Sequence, residues 1–97
     1  EVVIGKGITQ IAFYAFAKCK ALQIVRVGPN VSCIDKGAFK ECFNIQSFKC
    51  ASKTPPIVKD DALPIQEKRF ILYVPTENIA DYEKSEVWSQ YEIKGLE

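Results

Sequence analysis

The sequence ITQIAFYAFAKCKALQIVRVGPN (residues 8–30) is followed directly by VSCIDKGAFKECFNIQSFKC (residues 31–50), and the second stretch repeats the pattern of the first. An offset of 23 residues superimposes apolar residues or cysteines at seven positions: Ile8 on Val31, Ile11 on Ile34, Ala15 on Ala38, Phe16 on Phe39, Cys19 on Cys42, Leu22 on Ile45 and Val25 on Phe48. A repeat of about 20 to 50 residues is typical of stacked units that share a continuous core. The repeat therefore predicts an array, whose function lies on a surface and not in an enclosed pocket.

Each repeat combines two kinds of apolar spacing. Leu22, Val25 and Val27 have spacing that indicates a strand, whereas Ile34, Ala38 and Phe39 have the spacing of a helical turn. The strand pattern recurs at both ends of the chain, in Val2 with Ile4 and in Leu72 with Val74. We therefore predict an α/β array of about three to four short strands, each accompanied by a short helical turn.

The periodicity stops after Pro75. The stretch from Glu77 to Ser85 predicts a short helix with Ile79 and Tyr82 on one side, and Trp88 and Tyr91 follow it. Because the open end of an array needs an atypical unit to cover it, we interpret these residues as a cap. The predicted organisation is repeat units over residues 1–75 and a cap over residues 76–97, within a single domain. The alternative is that Trp88 and Tyr91 form an exposed platform on which a carbohydrate stacks.

The AF..C..L spacing, present twice within residues 8–50, resembles that of BspA-like leucine-rich repeats. The stretches PPIVKDDAL (residues 55–63) and LYVP (residues 72–75) are similar to the closing repeat of such proteins. That family occurs in surface proteins of anaerobic bacteria and of some protists. The resemblance implies a right-handed leucine-rich-repeat solenoid with parallel strands along one face and a helical C-terminal cap. It also implies that this chain is the C-terminal portion of a cell-surface or secreted protein related to adhesins. It does not imply a particular ligand.

Charge and hydropathy argue against two classes of partner. The 13 basic and 12 acidic residues leave a net charge of +1, and neither sign forms a run, so we expect no nucleic acid partner. The longest apolar stretch, Ile11 to Ala17, is far shorter than the ~20 residues that span a bilayer, so we expect no membrane insertion by this segment. The chain lacks methionine and begins within the repeat pattern, which predicts that it is an excerpt of a longer protein.

The strand alternation also predicts which side chains face outward. If Val25 and Val27 point into the core, Ile24 and Arg26 point away from it. Translation by the repeat places the candidate binding residues in two columns, the first containing Val3, Arg26, Lys49 and Tyr73 and the second containing Ile24, Ser47 and Ile71. Four strands would make a ribbon roughly 14 Å wide. The alternative is an ordinary solvated sheet face, on which single apolar residues are common.

Catalytic chemistry has little support in the composition. The chain contains no histidine, which is the commonest general base and the usual partner of a nucleophile. The adjacent pair Asp60 and Asp61 could serve hydrolysis, but it follows a proline-rich stretch and is typical of a solvated turn. The cysteine spacings do not fit a zinc site, and the scattered glycines form no phosphate loop. We therefore predict no enzyme activity, no cofactor and no metal.

Four cysteines allow three complete disulfide pairings, and the sequence does not choose among them. Cys19, Cys42 and Cys50 occupy positions expected in the core, while Cys33 is a candidate for exposure. A bridge between Cys19 and Cys42 is conceivable, since equivalent positions on neighbouring units lie within disulfide range, but buried free cysteines are also common.

The sequence leaves two candidate functions for this chain. The first is a non-catalytic module, with adhesion as its candidate activity, that binds a host or extracellular protein or glycan through Arg26, Lys49 and Tyr73 with the second column beside them. The alternative is a structural spacer or terminal cap of a longer array with no ligand of its own. Asn30, Val31 and Ser32 also match the acceptor pattern for N-glycosylation, which occurs often by chance.

Overall fold

The computed structural model describes residues 1–66 and 68–96, and β-strands make up most of the regular structure. In chain order the strands are β1 (Val2–Ile4), β2 (Gln10–Ile11), β3 (Ile24–Val27), β4 (Cys33–Ile34), β5 (Ser47–Cys50), β6 (Ile57–Val58), β7 (Ile71–Pro75) and β8 (Glu92–Leu96). The helical elements in the described part are a 3₁₀ helix at Thr76–Asn78, the α-helix α1 at Ile79–Glu83 and a 3₁₀ helix at Trp88–Gln90. The protein is therefore a β-rich repeat protein with few helices.

The strands form two parallel sheets. The larger sheet has the order β1-β3-β5-β7-β8 and the smaller has the order β2-β4-β6. Each of the first three repeats contributes one strand to each sheet, so the chain returns to the same sheet once per repeat. The prediction of stacked parallel strands is confirmed.

The strand register reproduces the repeat seen in the sequence. Val25 lies between Val2 and Phe48, and Phe48 in turn pairs with Leu72. Val25, Phe48 and Leu72 are fully buried. Burial of each such side chain contributes roughly 1.5 to 3 kcal/mol. The core therefore lies between the sheets and continues without interruption from one repeat to the next.

The predicted helical turns are replaced by β4 and by tight turns. Cys33 and Ile34 form a strand, and residues 35–42 make single i to i+3 hydrogen bonds such as Ala38 N to Asp35 O at 3.1 Å. Gly37 and Glu41 have φ values of 66° and 62°, and such left-handed residues interrupt an α-helix. Ala38 and Phe39 are nonetheless buried, because the turns carry both side chains into the core.

The C-terminal segment contains the predicted short helix and also a strand that we did not predict. The helix α1 lies within the expected range, but the residues after Tyr91 form β8, which pairs in parallel with β7 through Leu72 and Ile93. This pairing gives hydrogen-bond partners to the edge of β7, which would otherwise be left open.

Cys19 differs from its expected place in the core. Its equivalent in the next repeat, Cys42, is buried and donates its Sγ hydrogen to Phe16 O at 3.0 Å, whereas Cys19 is exposed. Cys19 lies in the outermost repeat, where no earlier repeat of the described chain covers it, and Phe13 in the same repeat is 64% exposed. Cys50 is buried as expected, Cys33 is half-buried, and all four thiols of the described chain are free.

Candidate functional site

The six predicted binding residues lie on one face of the larger sheet, in two rows across the strands. In the first row Arg26 pairs with Lys49, and Lys49 pairs with Tyr73. In the second row Ser47 lies between Ile24 and Ile71. The residues that alternate with them point into the core, so both rows face outward. We call this surface the strand face.

Strand β8 extends both rows. Glu92 lies beside Ile71 and Lys94 lies beside Tyr73. At the other end Val3 of β1 lies beside Arg26, so the strand face has five strands and is about 19 Å wide. The sequence analysis missed Glu92 and Lys94 because β8 follows β7 at an offset of 21 residues instead of 23. The alternation of Tyr91 and Ile93 with polar residues, matching Phe70 and Leu72 at that offset, is the signal that could have found the strand.

Charged and aromatic side chains contact one another along the first row. Arg26 forms an ion pair with Glu1, and the hydrogen bond from its guanidinium lowers the pKa of the Glu1 carboxyl below the ordinary value. The Lys49 Nζ atom lies 5.6 Å from the centroid of the Tyr73 ring, within the range of a cation–π contact. Lys94 Nζ lies 3.7 Å from a carboxylate oxygen of Glu92.

A groove of about 580 Å³ borders the strand face and includes Ser47, Ile71 and Tyr73 among its walls. Its other described walls come from the loops before β3, β5 and β7, namely Gln23, Phe43, Asn44, Ile45, Gln46, Gln66, Lys68 and Arg69. Sequence reasoning did not identify these residues as walls of a groove, because a repeat of buried side chains does not show which loop side chains lie beside a strand. The structure thus joins three predicted residues to a polar, partly basic groove.

Hydrogen bonds to the backbone position several side chains of this groove. Asn44 Nδ2 donates to Lys20 O at 2.7 Å, and Arg69 Nη1 donates to Gln90 O at 3.2 Å. Gln66 Nε2 donates to Ile45 O at 2.9 Å and to Lys68 O. Both acceptors are carbonyl oxygens, which sets the orientation of the Gln66 amide and leaves its buried Oε1 atom without a donor among the described residues.

The other candidates from the sequence do not form sites. Asp60 and Asp61 are exposed, and Asp61 occupies a left-handed turn position with a φ of 57°, as expected for a solvated turn. Trp88 is fully buried and Tyr91 stacks on Phe70 with ring centroids 4.2 Å apart, so they do not form an exposed platform. Within residues 1–66 and 68–96, no group of three or more acidic or cysteine side chains could hold a metal ion.

No helix in the described part of the chain has the length and apolar character needed to cross a bilayer. Two stacked parallel sheets with an exposed strand face define a β-rich repeat protein. The chain belongs to the BspA-type leucine-rich repeat family, since the family model described as BspA type leucine rich repeat region (6 copies) matches residues 1–61. This match confirms the resemblance. Members of the family are generally non-catalytic and are typically surface or secreted proteins. None of the curated proteins compared with the chain matches it.

Proposed function

We propose that this chain is a non-catalytic interaction module of a cell-surface or secreted leucine-rich repeat protein, in which the strand face binds an extracellular protein or glycan. Adhesion is the activity that such a module would serve. The observation that carries the proposal is the alignment of the two rows. Residues separated by more than 20 positions in the sequence, such as Arg26, Lys49 and Tyr73, are direct neighbours on one outward-facing sheet face, where Arg26 is exposed and the other two are half-buried.

The composition of the first row supports a binding role over a purely structural one. Arg26 and Lys49 are register partners on neighbouring parallel strands, and like charges at adjacent cross-strand positions repel each other. Glu1 pairs with Arg26, but the ion pairs among the described residues include none to Lys49, so a cation without a described acidic partner remains in the row. A partner that neutralises both would offset the repulsion.

The proposal is tested by a binding screen against immobilised extracellular-matrix proteins and cell-surface glycans. The wild-type chain is compared with the triple variant Arg26→Ala, Lys49→Ala and Tyr73→Ala. A matched control removes two exposed lysines and one exposed aromatic residue elsewhere, through Lys53→Ala, Lys59→Ala and Phe13→Ala. Saturable binding that the triple variant loses and the control keeps supports the proposal. Binding that survives in the triple variant contradicts the assignment to the strand face.

A second candidate function is the structural one, in which residues 1–75 are repeat units and residues 76–97 cap them within one domain. Contacts of the C-terminal segment favour it. The Tyr82 hydroxyl donates to Ser52 O at 2.7 Å, the Trp88 indole donates to Pro56 O at 3.0 Å, and β8 covers the edge of β7. In the same screen, the absence of saturable binding by a folded wild-type chain would favour this spacer or cap function.

A further inference from the structure

The strand face and its groove gather basic side chains that lie far apart in the sequence. The first row contains Arg26, Lys49 and Lys94, and the groove contains Lys68 and Arg69. Two carboxylates form ion pairs with these cations among the described residues, Glu1 with Arg26 and Glu92, which is itself in the second row, with Lys94. Net charge of the whole chain is only +1, so the fold concentrates positive charge that the composition did not reveal.

The dimensions of the strand face favour a thin ligand. Five strands give a width of about 19 Å, and strands of four residues give a length of about 13 Å, so the face covers roughly 250 Å². A stable interface between globular proteins buries about 800 Å² on each partner. A linear polymer lying along the rows needs no such area, because it can contact one row and the adjoining groove at the same time.

The groove adds uncharged polar groups suited to hydroxyl-bearing ligands. Gln23 and Gln46 are exposed, and the backbone bond from Gln46 N to Gln23 O at 2.8 Å holds them on neighbouring repeats. Side-chain amides both donate and accept hydrogen bonds, as sugar hydroxyls require of a partner. Tyr73 contributes an aromatic ring at the junction of row and groove.

We propose that the first row and the groove together bind a linear anionic polysaccharide, whose carboxylate or sulfate groups pair with Lys49, Arg69 and their basic neighbours. An acidic peptide fits less well, because extended peptides gain much of their affinity from backbone hydrogen bonds to a sheet edge. The strand face presents side chains and not an open edge. This inference rests on the proposed function and specifies the class of partner for the same surface.

The test is a calorimetric or surface-plasmon titration of the purified chain with size-fractionated heparin, which is sulfated, and with hyaluronan, which carries carboxylates only. Neutral dextran, poly-L-glutamate and single-stranded DNA are the comparison ligands. Two double variants probe the site, Lys49→Ala with Lys94→Ala in the row and Lys68→Ala with Arg69→Ala in the groove. The control variant, Lys53→Ala with Lys59→Ala, also removes two positive charges, but from exposed positions outside the first row and the groove.

We expect heparin or hyaluronan to bind, with affinity reduced at least about tenfold in each site variant and little changed in the control. Affinity should also fall as salt rises from about 50 mM to about 200 mM. Because heparin carries both sulfates and carboxylates, binding of heparin without hyaluronan identifies sulfate as the required group, and binding of hyaluronan shows that carboxylates suffice. Equal or tighter binding of poly-L-glutamate, DNA or dextran would overturn the inference.

Absence of binding by both anionic polysaccharides to a folded wild-type chain would also overturn it. The two proposals fail separately. In one outcome the screen finds a protein ligand that the Arg26, Lys49 and Tyr73 triple variant no longer binds, while heparin and hyaluronan do not bind the wild-type chain. The proposed function then stands, and the inference of an anionic polysaccharide ligand is wrong. If nothing binds the strand face at all, both fail.

Discussion

The indole nitrogen of Trp88 donates a hydrogen bond to the carbonyl oxygen of Pro56 at 3.0 Å, in the place where a further repeat would donate a backbone N–H. The equivalent carbonyls of the two preceding repeats accept such bonds, from Ser32 N to Thr9 O at 2.8 Å and from Ile57 N to Ser32 O at 2.9 Å. A side chain thus replaces a backbone donor at the end of the stack.

Replacement of Trp88 by phenylalanine should lower the free energy of unfolding by about 2 to 4 kcal/mol. The change leaves the buried Pro56 carbonyl without a donor and also removes ring volume from the core. Urea unfolding followed by circular dichroism measures the loss. Tyr91→Phe is the control, because the Tyr91 hydroxyl makes no hydrogen bond to the described residues, and it should change stability by less than about 0.5 kcal/mol. Equal losses in both variants would contradict a role for the indole hydrogen bond.

Stability should fall at alkaline pH. Burial raises the pKa of the Cys50 thiol above its ordinary value of 9.0, and burial raises the pKa of the Tyr82 hydroxyl above 10.0. Above those ordinary values the unfolded chain loses protons that the folded chain retains, so the free energy of unfolding declines as pH rises. Below them both states are protonated and the full stability is present.

The decline should begin near pH 9 and approach about 1.4 kcal/mol per pH unit for each group that ionises only on unfolding. Urea unfolding at a series of pH values measures it. Cys50→Ala should lower stability at neutral pH, through the cavity, while making the decline just above pH 9 shallower. A free energy of unfolding that stays constant from about pH 8 to pH 11 would contradict the burial of both groups.

The four thiols should react in the order of their exposure. Cys19 is exposed and Cys33 is half-buried, whereas Cys42 and Cys50 are buried. A chromogenic disulfide reagent added to the native protein should therefore modify Cys19 first, and Cys42 with Cys50 only on unfolding. Cys19→Ala should remove the fastest phase and leave the slow ones unchanged. Rapid loss of all four thiols without denaturant would show that the core is open.

Removal of the positive charge of Lys49 should leave the free energy of unfolding nearly unchanged. Lys49 is directly opposite Arg26, and relief of the repulsion between them offsets the loss of the contact with Tyr73. We expect Lys49→Thr to change the free energy of unfolding by no more than about 0.5 kcal/mol, since threonine suits a strand. Thermal or urea unfolding checks this. A loss above about 1 kcal/mol would mean that the row is structural.

Much of the larger sheet could be predicted from the sequence, because its signal is a repeat of buried side chains. Val25 and Phe48 align at an offset of 23 residues, and that alignment predicted the register that placed Arg26 beside Lys49. The smaller sheet was misassigned because two-residue strands such as Cys33–Ile34 are too short to display a period. Left-handed residues at Tyr14 and Asp61, which are not glycines, gave no sequence signal for the turns.

The rest of the candidate site depends on tertiary placement. Lys94 joins the first row only because β8 pairs with β7, and Arg69 reaches the groove from a loop without periodicity. Counting charges along the chain could not reveal this concentration, since these basic residues, apart from the adjacent Lys68 and Arg69, lie far apart in the sequence. The fold brings these residues together on one surface.

Charge reversal on the strand face tests the central claim most directly. Arg26→Glu with Lys49→Glu reverses two cations in the first row, and Lys53→Glu with Lys59→Glu makes the same change of net charge elsewhere. The affinity of both variants and of the wild-type chain is measured for the ligand found in the screen, after unfolding curves confirm that all three are folded. We predict that the strand-face variant loses binding and the control keeps it. Equal affinity in all three proteins would contradict a functional strand face.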